Sequence, residues 1–182
     1  MKEEMRREML DMRLGLSGTR VQQDSEAIVQ NLLSLRCIQD AQRVMTYYSV
    51  KNEPDIWTLT QRLLDMGKRV ALPGVTSHRI IAAEYTRDTK LVRGPYGIPQ
   101  PEVQEESEPF EPDLVIVPGV VFDLQRCRIG FGAGYYDRFL SVNAAVKVGV
   151  CFESQLVDSI EAESHDVRMD CVVTERRVLE GI

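Results

Sequence analysis

DLVIVPGVVFD, Asp113 to Asp123, is apolar at nearly every position between its two terminal acids. A strand with one face in water alternates apolar and polar residues, whereas a nearly unbroken run of Val, Ile and Leu belongs to a strand covered on both faces. Sheets of that kind are mostly parallel and carry helices on each side. The flanking sequence agrees. Upstream, RVMTYYS (Arg43 to Ser49) is β-prone and stops at VKNEPD, where Asn52 and Pro54 signal a turn. IWTLTQRLLDMG then reads as a helix closed by Gly67, and RVALPG as a short buried strand. Strand, helix, strand in that order predicts a parallel pair joined by a crossover. Downstream, YYDRFLS starts a helix, VKVGVCF is a second buried strand and DCVVTE a last short one. The expectation is an α/β fold of three layers, a mainly parallel sheet with helices on both faces, as a single domain over residues 1–182.

At the N-terminus, Met5, Met9, Met12 and Leu16 recur at steps of four, three and four, predicting a helix from Lys2 to about Leu16. Lys2, Arg6 and Arg13 form a second stripe roughly 70° around that helix, which periodicity alone reads as a solvated flank. A second helix is expected from about Thr19 to Leu35. RIIAAEY (Arg79 to Tyr85) supplies another strand. Five of the eight prolines fall between Gly94 and Pro112, and QPEVQEESEPFEPD carries six acids and no base, so this segment reads as an extended surface connection.

Composition narrows the function. A net charge of -6 and a pI near 5.1 argue against nucleic acid or an anionic membrane as partner, since neither polyanion is drawn to an acidic surface without a concentrated basic patch. No apolar run is long enough to span a bilayer, and MKEEMRREML carries charge from its second residue, so a cytoplasmic protein is expected. Cys37, Cys127, Cys151 and Cys171 show no CxxC spacing and read as free thiols; His78 and His165 are too few and too far apart to suggest zinc.

Immediately after the apolar run comes RIGFGAGYYDRFL, Arg128 to Leu140, with Gly130, Gly132 and Gly134 on alternate positions. Ligands of open α/β sheets bind beyond the carboxyl ends of the strands, and glycines there let backbone N–H groups approach a phosphate while Arg128 adds a fixed positive charge. The pattern is GxGxG, neither the dinucleotide fingerprint GxGxxG nor a P-loop. A tight strand-to-helix turn explains it equally well. Asp137 could hold the Mg²⁺ of a triphosphate, or simply complement the dipole of the helix it begins.

PGVVFDLQRCRIGFGAGYYDRFL, Pro118 to Leu140, resembles the signature of the 5-formyltetrahydrofolate cyclo-ligase (5,10-methenyltetrahydrofolate synthetase) family. The N-terminal basic helix, YYSVKNEPD, GPYGIPQP and HDVRMDCVVTE follow in the family's order. The resemblance implies a Rossmann-like fold related to sugar-phosphate isomerases and CoA transferases. It implies an ATP- and Mg²⁺-dependent closure of 5-formyltetrahydrofolate to 5,10-methenyltetrahydrofolate, with ADP and phosphate released, in a monomer or weak homo-oligomer. Matched by motif, Lys2, Arg6, Arg128, Gly130, Gly132, Ala133, Gly134, Tyr135 and Tyr136 would hold ATP, which overturns the solvated reading of the first two. Arg13 stays undecided and Arg7 solvated. Asp137 and Asp166 would bind Mg²⁺, with Asp170 the runner-up and His165 a neighbour without a metal role; Arg128 and Asp137 would also carry catalysis. Tyr48, Glu53, Tyr96, Phe131 and Tyr135 would contact folate, while Trp57 reads as core. Two positions depart from the family. Cys127 stands where glycine is common, and Ala133 stands at the middle of what is often GGG or GKG, without the lysine some members place near the phosphates. On fold alone, a sugar-phosphate isomerase-like enzyme or a nucleotide- or folate-binding module remains open.

Overall fold

The computed structural model describes residues 1–181. Five helices and twelve strands follow the chain: α1 (Lys2–Leu14), α2 (Gly18–Ser34), α3 (Arg36–Asp40), β1 (Arg43–Met45), α4 (Trp57–Asp65), β2 (Arg69–Val75), β3 (Ile80–Tyr85), β4 (Leu91–Arg93), β5 (Pro99–Pro101), β6 (Leu114–Pro118), β7 (Val121–Asp123), β8 (Arg128–Ile129), α5 (Tyr135–Ser141), β9 (Val146–Val150), β10 (Leu156–Val157), β11 (Cys171–Val173) and β12 (Val178–Glu180). Seven strands form one sheet in the order β12-β11-β9-β6-β1-β2-β3. Its five inner strands are mutually parallel, and the edge strands β12 and β3 run antiparallel to their neighbours.

The two faces follow from side-chain alternation along the buried strands. Val44, Leu114, Ile116, Val148 and Val150 point to one side and pack against Ile28 and Leu32 of α2, Ile38 of α3 and Leu59 and Leu63 of α4. Met45, Val115 and Val117 point to the other side, where Phe122 and Leu140 of α5 cover them. Helices therefore sit on both faces, as the apolar run implies.

That run is not one strand. β6 lies in the large sheet and β7 in a small one, β10-β7-β8, which packs under α1 through Val121 and Ile129 against Met5 and Met9. The break comes at Pro118 and Gly119. Proline cannot donate to the ladder, and the Gly119 carbonyl accepts from Arg13 Nη1 at 3.0 Å and Gln155 Nε2 at 3.2 Å instead of from a neighbouring strand. Two further expectations need correction. RVMTYYS leaves the sheet after Thr46, whose N–H donates to Ala71 O at 2.9 Å. The proline-rich segment is not all surface: β5 pairs with β4, Gln100 is buried, and Phe110 is buried with its N–H on Ala82 O at 2.8 Å.

Candidate active site

A cavity of about 730 Å³ opens beyond the carboxyl ends of β1, β2 and β6, and every one of the fifteen residues matched to ATP, Mg²⁺ or folate lines it. Three segments far apart in sequence build it: the start of α1, the 47–53 turn and the 128–137 loop, with Tyr96 and Asp166 at its edge.

The loop is shaped by its glycines where shape demands them. Gly132 and Gly134 have φ of +105° and +67°, left-handed backbone that a side chain disfavours. The Arg6 guanidinium packs on Gly132 at ordinary contact distance, so it is the left-handed backbone that asks for glycine there. Arg6 Nε donates to Gly130 O at 2.8 Å, fastening α1 to the loop. Arg138 Nη1 donates to Ala133 O at 2.9 Å.

The basic and acidic residues meet in pairs. Arg128, nearly buried, donates from Nη2 to Asp137 Oδ1 at 3.0 Å, lies 5.7 Å over the Tyr136 ring, and leaves its buried Nε without any partner among the described residues. Lys2 Nζ reaches Asp166 Oδ2 at 2.7 Å and Glu163 Oε1 at 3.1 Å. Burial works against charge on both Lys2 and Asp166. The mutual hydrogen bond, with the Glu163 N–H on Asp166, outweighs it, raising the lysine's pKa and lowering the aspartate's. Among the described residues, Asp137 Oδ2 has no hydrogen bond, and no group of three His, Cys, Asp or Glu clusters to make a closed metal site. The unengaged Asp137 oxygen fits a hard divalent ion that takes its other ligands from phosphate and water, and the orphaned Arg128 N–H fits a phosphate oxygen.

Glu53 lies at the bottom of the cavity, 4% exposed, with Oε2 accepting from Val50 N at 2.9 Å. Burial pushes its carboxyl up to about 7, with the nearby positive charge of Arg13 working the other way. Tyr48 and Phe131 are partly exposed along the walls. Tyr96 is 62% exposed and stands edge-on to Tyr135 at 6.1 Å, so it forms a lip of the cavity and has no place in the core.

Four residues find their place here. Arg13 lies outside the cavity lining and is fully buried, donating to Lys51 O at 3.0 Å and to Gly119 O. Its stripe on α1 is thus no solvated flank at any of the three positions. Trp57, expected in the core, is half-buried and stacks between Tyr48 at 5.5 Å and Tyr85 at 5.3 Å. Asp170 is away from the cavity and accepts from Lys147 N at 2.7 Å. His165 is exposed beside Glu163 and Asp166. Sequence reasoning passed over Lys51 and Gln100. Gln100 closes the cavity wall by pairing its amide with both Val75 N and Val75 O, at 3.0 and 3.2 Å. No spacing signals either residue, since each acts through a contact that only the folded chain creates.

The sequence pattern described as the 5-formyltetrahydrofolate cyclo-ligase family matches residues 1–175. The chain belongs to this family. A probable cyclo-ligase of Caenorhabditis elegans is 28% identical over 96% of this chain and 92% of its own length, and the Saccharomyces cerevisiae cyclo-ligase is 33% identical over 82% and 83%. The structure of the Aquifex aeolicus 5,10-methenyltetrahydrofolate synthetase superposes with a TM-score of 0.87 at 34% identity, covering 98% of this chain and 92% of that one. The α/β architecture around the cavity is therefore the fold of the cyclo-ligase family. Among the described residues no helix is long and apolar enough to cross a membrane.

Proposed function

We propose that this cyclo-ligase family member converts 5-formyltetrahydrofolate to 5,10-methenyltetrahydrofolate with ATP and Mg²⁺, releasing ADP and phosphate. The observation that supports the reading best is the convergence of Lys2, Arg6, Arg128, Asp137 and Asp166 on one cavity that Tyr48 and the buried Glu53 also line. A formyl oxygen is a poor leaving group. Transfer of the γ-phosphoryl to that oxygen breaks the bond to ADP. The arylamine nitrogen then attacks the formyl carbon and loses its proton, and the C–O bond breaks with departure of phosphate.

Such a sequence asks the protein for positioning and charge neutralisation more than for covalent chemistry. Lys2, Arg6 and Arg128 would contact phosphate oxygens, and the orphaned Arg128 Nε–H would gain an acceptor there. Asp137 and Asp166 would hold Mg²⁺, which, when bound, neutralises charge on the phosphates. Phe131, Tyr135 and Tyr96 would flank the folate rings, and Glu53 would hydrogen-bond the pterin edge. The motif from Arg128 to Leu140 favours the cyclo-ligase reading over the isomerase chemistry of related folds.

Growth of methenyl absorbance coupled to ADP release, with ATP and metal omitted in turn, tests the proposal. Turnover is expected only with folate, ATP and Mg²⁺ together. A flat trace from folded protein with all three present would remove the assignment.

A further inference from the structure

We infer that Lys51 is a specificity residue for the acidic tail of the folate: its ammonium takes a tail carboxylate at the mouth of the cavity. This rests on the cyclo-ligase reading above and deepens it.

The other cations of the cavity are engaged. Lys2 is paired with Asp166 and Glu163, Arg6 is bonded to Gly130 O, and Arg128 is paired with Asp137. Among the described residues, Lys51 alone of the lining cations has its side-chain nitrogen in no hydrogen bond and no ion pair; its ammonium rests 5.3 Å over the Phe131 ring. A cation over an aromatic face keeps its outer donors available.

The fold also fixes where that ammonium stands. Lys51 and Asn52 have φ of +51° and +55°, a left-handed pair that non-glycine residues adopt only when surroundings impose it. Arg13, buried without a paired carboxylate, holds the Lys51 carbonyl at 3.0 Å, and Asn52 Nδ2 reaches the last carbonyls of α1. These contacts to α1 fix the main chain at Lys51, while its side chain stays exposed with the ammonium over Phe131.

Geometry selects the tail over the phosphates. Within two residues the chain passes from Glu53, at the bottom of the cavity, to Lys51, exposed at its mouth. A folate with its pterin edge at Glu53 directs its aminobenzoyl-glutamate end outward along the same wall. That end carries two carboxylates. The cations matched to phosphate are Lys2 and Arg6 on α1 and Arg128, with Lys2 and Arg128 already paired to carboxylates, whereas Lys51 stands on the same turn as Glu53 and meets the 128–137 loop at the Phe131 ring.

Lys51→Met keeps the aliphatic stem and removes the charge. The comparison is between 5-formyltetrahydrofolate and 5-formyltetrahydropteroate, which lacks the glutamate. For an exposed pair the expected rise in KM of the glutamate-bearing substrate is roughly 2- to 5-fold, shrinking in high salt, with the tail-less substrate responding equally in both proteins. A rise in KM for ATP in place of folate would assign Lys51 to the phosphates and overturn the inference, as would an equal change with both folates or no change at all. Should the wild-type protein not turn over, the cyclo-ligase reading fails by itself. Calorimetric titration of the same two compounds into wild type and Lys51→Met then decides the tail contact independently.

Discussion

Replacing Glu53 with glutamine isolates the energetic consequence of placing a carboxyl at the bottom of the cavity. Burial raises its pKa from 4.5 to about 7, and at about 1.36 kcal/mol per pKa unit the shift amounts to roughly 3 kcal/mol. The sign follows from linkage. The folded pKa is raised, so the stabilising contribution is fully present below 4.5, where the carboxyl is protonated in both states. It is lost as pH rises through 7, where the unfolded chain ionises freely and the folded chain does so only against burial. Glutamine does not titrate and keeps an oxygen for the Val50 N–H. Urea unfolding of both proteins between pH 4.5 and 8.5 at constant ionic strength should therefore show the variant gaining about 3 kcal/mol relative to wild type across that interval, whatever fixed cost the substitution carries at pH 4.5. A gap that stays constant within ~0.5 kcal/mol would refute the premise that Glu53 is held out of water. The same variant, shown to be folded, should bind folate more weakly because a carboxamide cannot accept at both oxygens; an unchanged KM for folate would argue against that contact.

Asp137→Asn should reduce turnover by roughly 10²-fold or more, the usual cost of removing one preorganised charge-stabilising group. The variant should retain its fold and need more Mg²⁺ for half-maximal rate; wild-type activity would end the magnesium role. Asn52 lends its amide to the carbonyls of Arg13, Leu14 and Leu16 at the end of α1 from a left-handed backbone. Asn52→Gly loses those bonds and about 0.4–1 kcal/mol through the freer unfolded chain, whereas Asn52→Ala loses the bonds and adds a left-handed backbone penalty of about 1–2 kcal/mol. Thermal unfolding should rank them wild type, Gly, Ala, and an alanine variant as stable as the glycine one would mean that the turn relaxes.

Much of the fold was legible because it rests on patterns with short range. The runs at 113–123 and 146–152 imply strands covered on both faces, and steps of three and four imply α1. What was not legible depends on partners distant in sequence. The division of Asp113 to Asp123 between two sheets depends on Pro118 together with two donors, Arg13 and Gln155, that approach Gly119 from more than thirty residues away in either direction. The antiparallel edge strands need the completed sheet. In the site, the family resemblance named fifteen candidate residues, and one cavity gathers them. It left Arg13 undecided, because its contacts are backbone carbonyls without a sequence signature, and passed over Lys51, which stands between two matched positions and is singled out only by lacking a partner.

On the proposed reading, the pairing of acids with bases has a consequence for the order of binding. Four cationic and four acidic side chains line the cavity, and without ligand the three phosphate-side cations would repel one another were Arg128 and Lys2 not held by Asp137 and Asp166. A metal-bearing triphosphate exchanges like for like: phosphate oxygens replace carboxylates on the cations, and the metal replaces the cations on the carboxylates. A bare triphosphate makes only half of that exchange and strands two partly buried carboxylates, which is strongly unfavourable when one partner of such a pair is removed. Metal and nucleotide should therefore bind with positive coupling, and since coupling free energy is reciprocal, Mg²⁺ must tighten ATP by the same factor by which ATP tightens Mg²⁺. Equal ATP affinity with and without the ion would mean that the two acid–base pairs stay closed around the ligand, and that the phosphates lie elsewhere in the cavity.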